Sequence, residues 1–334
     1  MSAASHRADV RKAQTLQQQR LRLGDSAFRA IVAGAAGIVL LAFVATAFFL
    51  VRESWPALSH YGVLSYLSSS RWTPSTAVAT ATHPNPYGVL QFVYGTVLTS
   101  IIAMLLAVPV AVGLALYITD VAPQGLRRPL AYVVDLFASV PSVVYGFWGI
   151  FALLPVLHPI ADHLTSWLGG IPVVGSVFAG PFFGPSYFAA GIVLAIMVLP
   201  IVTAICREVF AVAPVAEKEA ALALGATRWE MLRMSVLKRS TAGIFGASLL
   251  GLGRAFGETI AVTMLIGNSV LSITTSIFGQ GATMPSVIAN EFTEATEPFH
   301  LDSLFVVGTL LLIITLVVNL LGKLVVSRVS ETIG

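Results

Sequence analysis

The chain has 334 residues, 56% of them hydrophobic and only 10% charged, with a mean hydropathy of +0.86. A soluble domain carries about 25% charged residues, so an ordinary soluble globule is excluded and lipid is the expected solvent. The net charge of +3 argues neither way, and the single cysteine, Cys206, excludes an intrachain disulfide and a multi-cysteine metal site.

Residues 1–29 form a polar, basic tail (QTLQQQRLRL within it), read either as a helix on the cytoplasmic membrane face or as a topology signal. Six stretches then approach the roughly 20 apolar residues that cross a bilayer: Ala30–Val51, Phe92–Thr119, Pro129–Pro155, Ser186–Cys206, Thr241–Ile266 and Ser303–Gly322. The first exceeds the about 7–15-residue core of a secretory signal, and Ala45-Thr46-Ala47 lies inside it, so it is read as a retained helix. With the Thr-, Ala- and Pro-rich outer loop Trp72–Tyr87 it makes up a unit over 30–91. A core over 92–326 carries five further helices, and a short tail follows at 327–334.

The basic residues set the orientation. Arg7, Arg11, Lys12, Arg20, Arg22, Arg29, Arg127, Arg128, Arg207, Lys218, Arg228, Arg233, Lys238, Arg239, Lys323 and Arg328 fall on one side, against Arg52 and Arg71 on the other. By the positive-inside rule both termini are cytoplasmic. Leu157–Pro185 and Gly267–Asp302, which lack Lys and Arg, face outward. Asp135, near the cytoplasmic end of the third span, is expected to pair with a basic residue there.

The cytoplasmic connection 207–240 holds strong helix formers over Val215–Leu224, then Gly225, a natural helix stop. Thr227 with Glu230 three positions later predicts a capping box opening a second short helix. Such a helix–turn–helix knob suits a membrane protein that receives force from a soluble partner.

Glu219-Ala220-Ala221, three residues, then Gly225 resembles the EAA-xxx-G signature of ATP-binding-cassette importer permeases, although Lys238 stands where the family usually has Pro after Leu237. FVYGTVLTSIIAMLLAVPVAVGLALY (92–117), SVPSVVYGFWGIFALLP (139–155), GLGRAFGETIAV (251–262) and IANEFTEA (288–295) resemble the phosphate-permease branch, PstC type. The resemblance implies an all-α integral membrane protein of six transmembrane helices with the type I importer permease fold. Its cytoplasmic coupling helix, around Glu219, Ala220, Ala221 and Gly225, would dock on the ATPase subunit. It further implies a multi-pass protein of the bacterial inner membrane, pairing with a PstA-type companion permease to form one pore. A PstB-type ATPase dimer using ATP-Mg and an extracytoplasmic PstS-type phosphate-binding protein are the other implied partners. No cofactor is expected in this chain and no nucleic-acid partner.

In the fifth span Gly243, Ala247, Gly251 and Ala255 recur every four residues, a small-residue face for close helix packing. Arg254 and Glu258 lie one turn apart beside it, and intramembrane charges are functional candidates by default. Arg254 offers a permanent charge with a planar fork suited to phosphate oxygens. Glu258 can neutralise it in an empty path and take a proton-mediated hydrogen bond from hydrogenphosphate, which sulfate cannot offer. In the family this Arg and Glu are associated with phosphate passage; an ion-pair brace between helices is the structural alternative. Ser139 and Ser142, flanking Pro141, either line the path or satisfy the backbone kink. His158 and His163 lack clustered ligands, so no metal site is expected. Glu291, Glu294 and Glu297 make an acidic outer stretch, a solvated face or a contact for a binding protein.

Rival functions find less support. The chain has no HExxH, GxSxG or GxxxxGK[ST], so neither an enzyme nor an ATPase is read from it. A secondary transporter would leave the projecting loop without a task. Another oxyanion, sulfate or molybdate, remains open as substrate.

Overall fold

The computed structural model describes residues 2–74, 85–172, 174–270, 273–297 and 299–333, with side chains described from Phe28 to Arg328. The described chain is helical apart from its connections. Two compact units divide it, Met1–Arg52 and Glu53–Gly334. The first consists of the leading part of helix α1, which runs Ser2–Tyr61; the polar face or signal read for residues 1–29 concerns side chains that, apart from Phe28 and Arg29, lie outside the described ones. Most of the outer loop Trp72–Tyr87 also lies outside the described residues.

The second unit continues with α2 (Val63–Ser68), α3 (Leu90–Leu116, prolonged by a wide π turn over Tyr117–Val121), α4 (Gln124–Ser139) and α5 (Ser142–Trp148). A second π turn, Gly149–Leu153, joins α5 to α6 (Leu154–Leu168), and α7 (Val174–Val177) leads to α8 (Tyr187–Ala211). Then come α9 (Val215–Ala223), α10 (Arg228–Met231), a π segment Leu232–Leu237, α11 (Thr241–Phe256), α12 (Ile260–Ile266), α13 (Met284–Glu291) and α14 (His300–Ile333). Five helices are long and apolar enough to cross a membrane, and six when the bent pair α11–α12 is taken as one span.

Two predicted spans differ from the observed ones. The third, expected over Pro129–Pro155, is broken at Val140–Pro141, because Pro141 supplies no N–H and the residue before a proline is pushed to extended backbone. The long apolar helix instead runs Ser142–Leu168, and α4 precedes it as a separate helix. The fifth, expected as one helix over Thr241–Ile266, bends by 66° between Phe256 and Ile260.

Helix α8 is the hub: 67% of its most apolar window is buried, against 33% in the next most enclosed spans. Small residues let its neighbours approach. On α3, Ala103, Ala107, Ala111 and Ala115 are all buried at four-residue spacing, and a Cβ on Gly191 of α8 would sit 2.6 Å from Ile102. The small face of α11 docks on α8 as expected. A Cβ on Gly243 would meet Val209 at 2.4 Å and one on Gly251 would meet Val202 at 2.7 Å, while Ala247 and Ala255 are buried. Without a hydrophobic drive between helices in lipid, such close packing is what holds them.

A second cluster of buried side chains, with Tyr66, Trp72, Tyr87, Phe92, Met284 and Leu304 among them, caps the opposite end of the unit. Trp72 and Tyr87 meet as an isolated antiparallel bridge. Glu291 does not face solvent as a free acid: Trp72 Nε1 donates to it at 2.7 Å and His300 Nε2 lies 2.8 Å away. Only Glu294 and Glu297 of the acidic stretch are exposed.

Burial raises the Tyr87 phenol to about 12 and pushes Tyr66, hydrogen-bonded to Ser303 at 2.8 Å, above the usual phenol range as well. The folded cap keeps these protons where an unfolded chain loses them near pH 10. Cap stability therefore falls as pH rises from about 10 through 12. Tyrosinate absorbance should show these two rings ionising late and together with loss of structure; early reversible ionisation of all tyrosines would contradict the burial argument.

Candidate functional site

The bend in the fifth span is built by three residues that end one helix and begin another. Gly257, Glu258 and Thr259 separate α11 from α12, and their freed backbone groups need partners. The Glu258 carboxylate meets part of this need by accepting from the Ala261 N–H at 3.4 Å in the first turn of α12. An acid is favoured at a helix start and a base at a helix end. Arg254 occupies the last turn of α11, and its guanidinium reaches Glu258 at 3.4 Å. The pair is asymmetric: Glu258 is 5% exposed and Arg254 47%. The result is a cation held on a buried carboxylate, with unused donors turned outward.

Beside it stand the turns of the third span. A Cβ on Gly146 of α5 would lie 2.5 Å from Met264 Sδ, and one on Gly149 would lie 2.6 Å from Leu265. These close approaches pack α5 and the following π turn against α12. The Tyr145 hydroxyl bridges the Pro141 break by donating to the Phe137 carbonyl at 2.8 Å. Ser139 is exposed and donates to the Leu136 carbonyl at 2.8 Å; Ser142 is half-buried in the first turn of α5. Among the described residues no hydrogen bond joins either serine to Arg254 or Glu258.

The connecting loop folds as a projecting knob. Gly225 takes a left-handed φ of 86° at the end of α9, and the capping box forms, with the Thr227 N–H donating to Glu230 at 2.8 Å. Hydrogen bonds from the Thr227 backbone and hydroxyl hold the Glu230 carboxyl below the usual range. No residue of α9 is buried. Glu219, Ala220 and Gly225 are exposed and Ala221 is half-buried, while Leu224, Val212 and Trp229 present large apolar surfaces at 89%, 82% and 60% exposure.

Two contacts not read from the sequence brace this knob: Lys218 pairs with Asp120 at the end of α3's π turn, and Arg239 pairs with Glu217 at 2.7 Å. The expected partner of Asp135 is Arg207, at 3.5 Å. Gly225→Ala should strain the turn by about 1–2 kcal/mol, the usual penalty for left-handed backbone with a Cβ. ATP-driven uptake should then fall while assembly persists; unaltered uptake would show that the turn's geometry is not critical.

Residues 88–331 match the family described as the binding-protein-dependent transport system inner membrane component. The chain belongs to this family. It is 39% identical over 326 residues to the phosphate transport system permease protein PstC of Mesorhizobium japonicum, covering 97% of both chains. It is 41% identical over 311 residues to the protein of the same name from Xylella fastidiosa strain 9a5c, covering 93% of both. The crystal structure of a bacterial ABC transporter involved in import of the acidic polysaccharide alginate is similar at a TM-score of 0.51 and 19% identity, covering 72% of this chain and 79% of that one. That likeness concerns the fold alone, the ABC-importer permease arrangement of helices. The family's fold and the long apolar helices make this a multi-pass membrane protein, a transport component with companion subunits.

Proposed function

We propose that this chain is a pore-forming permease subunit of an ATP-driven importer of inorganic phosphate, paired with a PstA-type companion permease. The observation that carries the reading is the half-exposed Arg254 guanidinium, held at the bend of the fifth span by buried Glu258. A fixed cation with spare, forked donors recognises an oxyanion. The relatives' names favour phosphate among oxyanions, and Glu258 suits an anion that still carries a proton. A PstS-type binding protein delivers the anion to the outer mouth. A PstB-type ATPase dimer grips the knob around Glu219, Ala220, Ala221 and Gly225 and uses ATP-Mg, so this chain performs no hydrolysis and holds no cofactor. Ser139 and Ser142 belong to the same path. Both termini and the knob lie on the cytoplasmic side.

Reconstituted with its companion permease, ATPase and binding protein, the chain should support ATP-dependent uptake of radiolabelled phosphate but not of sulfate. Preferential sulfate uptake would keep the machine and remove the substrate. For orientation, single cysteines placed at Leu224 and Glu294 in a Cys206→Ser background should label from the cytoplasmic and outer sides respectively. Labelling in the reverse sense would invert the topology.

A further inference from the structure

Helices α11 and α14 pack tightly where Gly322 faces Leu249; a Cβ on Gly322 would lie 2.3 Å from Leu249 Cδ2. Around that contact they leave a cavity of about 720 Å³, lined by Gly243, Gly246 and Leu250 of α11, Val209 of α8, and Asn319 and Lys323 of α14. Ser327 lines it too, so Asn319, Lys323 and Ser327, four apart, give α14 one polar stripe on the cavity side of an otherwise apolar span. Gly246 is not needed for packing: a Cβ there would have no neighbour within 4 Å. Lys323 carries no ion pair among the described residues. An ammonium without an ion-pair partner among the described residues thus sits at the rim of a largely apolar cleft.

We propose that this cleft binds one anionic phospholipid, its acyl chain on the apolar floor over Gly246 and its headgroup phosphate on Lys323. A free phosphate ion would satisfy Lys323 and leave the floor unfilled, whereas a lipid satisfies both. Basic pockets between membrane helices on the cytoplasmic side recognise anionic headgroups, and this inference rests on the cytoplasmic placement proposed above for that end. The position has a consequence for transport. Helix α11 runs from the docking knob to Arg254, so a lipid wedged against its first turns loads the element that links ATPase motion to the bend.

The test uses the importer assembled with its partner subunits, held in nanodiscs of phosphatidylcholine with phosphatidylglycerol, with bound lipid read by native mass spectrometry. The unmodified complex should retain phosphatidylglycerol over phosphatidylcholine. Lys323→Gln should lower that retention about fivefold, the effect of one basic residue at an anionic surface, and Gly246→Phe should remove it by filling the cavity. Lys323 is exposed, so its variant decides the matter if the bulkier one does not assemble. Equal retention in the unmodified complex and in Lys323→Gln would overturn the proposal. So would a photo-crosslinker at position 246 that captures a protein subunit instead of lipid. Phosphate uptake is scored separately: lipid selectivity without phosphate uptake overturns the transport reading and leaves the lipid site standing.

Discussion

Arg254→Ala is expected to reduce ATP-driven phosphate uptake by at least about tenfold while the subunits still assemble. A hydrogen bond to a charged group contributes about 1.5–3 kcal/mol, and an anion crossing the bend would lose at least one. The substitution also leaves Glu258, 5% exposed, without its cation, so an uncompensated acid would face an entering anion. Arg254→Lys keeps the charge and loses the planar fork, and intermediate uptake is expected. Exchanging the two residues separates transport from bracing. The double change Arg254→Glu with Glu258→Arg restores an ion pair at the same spacing but turns the acid outward. A brace would be rescued by the exchange, and a pathway cation would not. Full uptake in the exchanged protein would therefore refute the site.

The spans with uninterrupted apolar sequence were readable, because crossing a bilayer demands length and hydropathy that leave few alternatives. The small face of α11 was readable for the same reason: close approach in lipid needs small side chains, and Gly243 and Gly251 meet Val209 and Val202 as that argument requires. The turn at Gly225 and the box of Thr227 with Glu230 followed from local backbone chemistry. The bend at Glu258 was harder to read. GET contains no proline, and its helix-stopping effect uses Gly257 with the Glu258 carboxylate accepting from the Ala261 N–H three positions on, a local pattern less conspicuous than proline. The knob's braces were unreadable for another reason, their range: Lys218 meets Asp120 across 98 positions. Glu291 looked like a solvated acid because Trp72 and His300, its partners, approach it from other segments. The alanine stripe on α3 stands out less in sequence than the glycines of α11, since alanine is common throughout apolar spans, yet Ala103, Ala107, Ala111 and Ala115 are all buried.

Gly95→Ala should be a strongly damaging methyl addition in the described core. Two terms oppose each other. Glycine inside a helix is less favourable than alanine by about 0.8–1 kcal/mol, so in an open position the substitution would stabilise α3. At Gly95, however, the new Cβ would sit 2.1 Å from the Ala282 carbonyl oxygen and 3.1 Å from its carbon. The obstacle is backbone, which has no rotamer to yield, and the same segment is tied down one residue later, where the Met284 N–H donates to Thr96 Oγ1 at 2.9 Å. Relief requires the 282–284 segment to lift from α3, which breaks that bond and disturbs Met284, fully buried in the cap. Overpacking of a tight core costs about 1–3 kcal/mol and sometimes more, and with a rigid neighbour the upper end is expected, enough to outweigh the helix term. Gly113, on the same helix with no atom within 4 Å of its would-be Cβ, is the control. Thermal unfolding of the purified chain in detergent should show Gly113→Ala unchanged or raised and Gly95→Ala lowered by several degrees. Equal melting of the two variants would mean that the outer segment does not rest on α3, and the FVYGT element would then need another explanation.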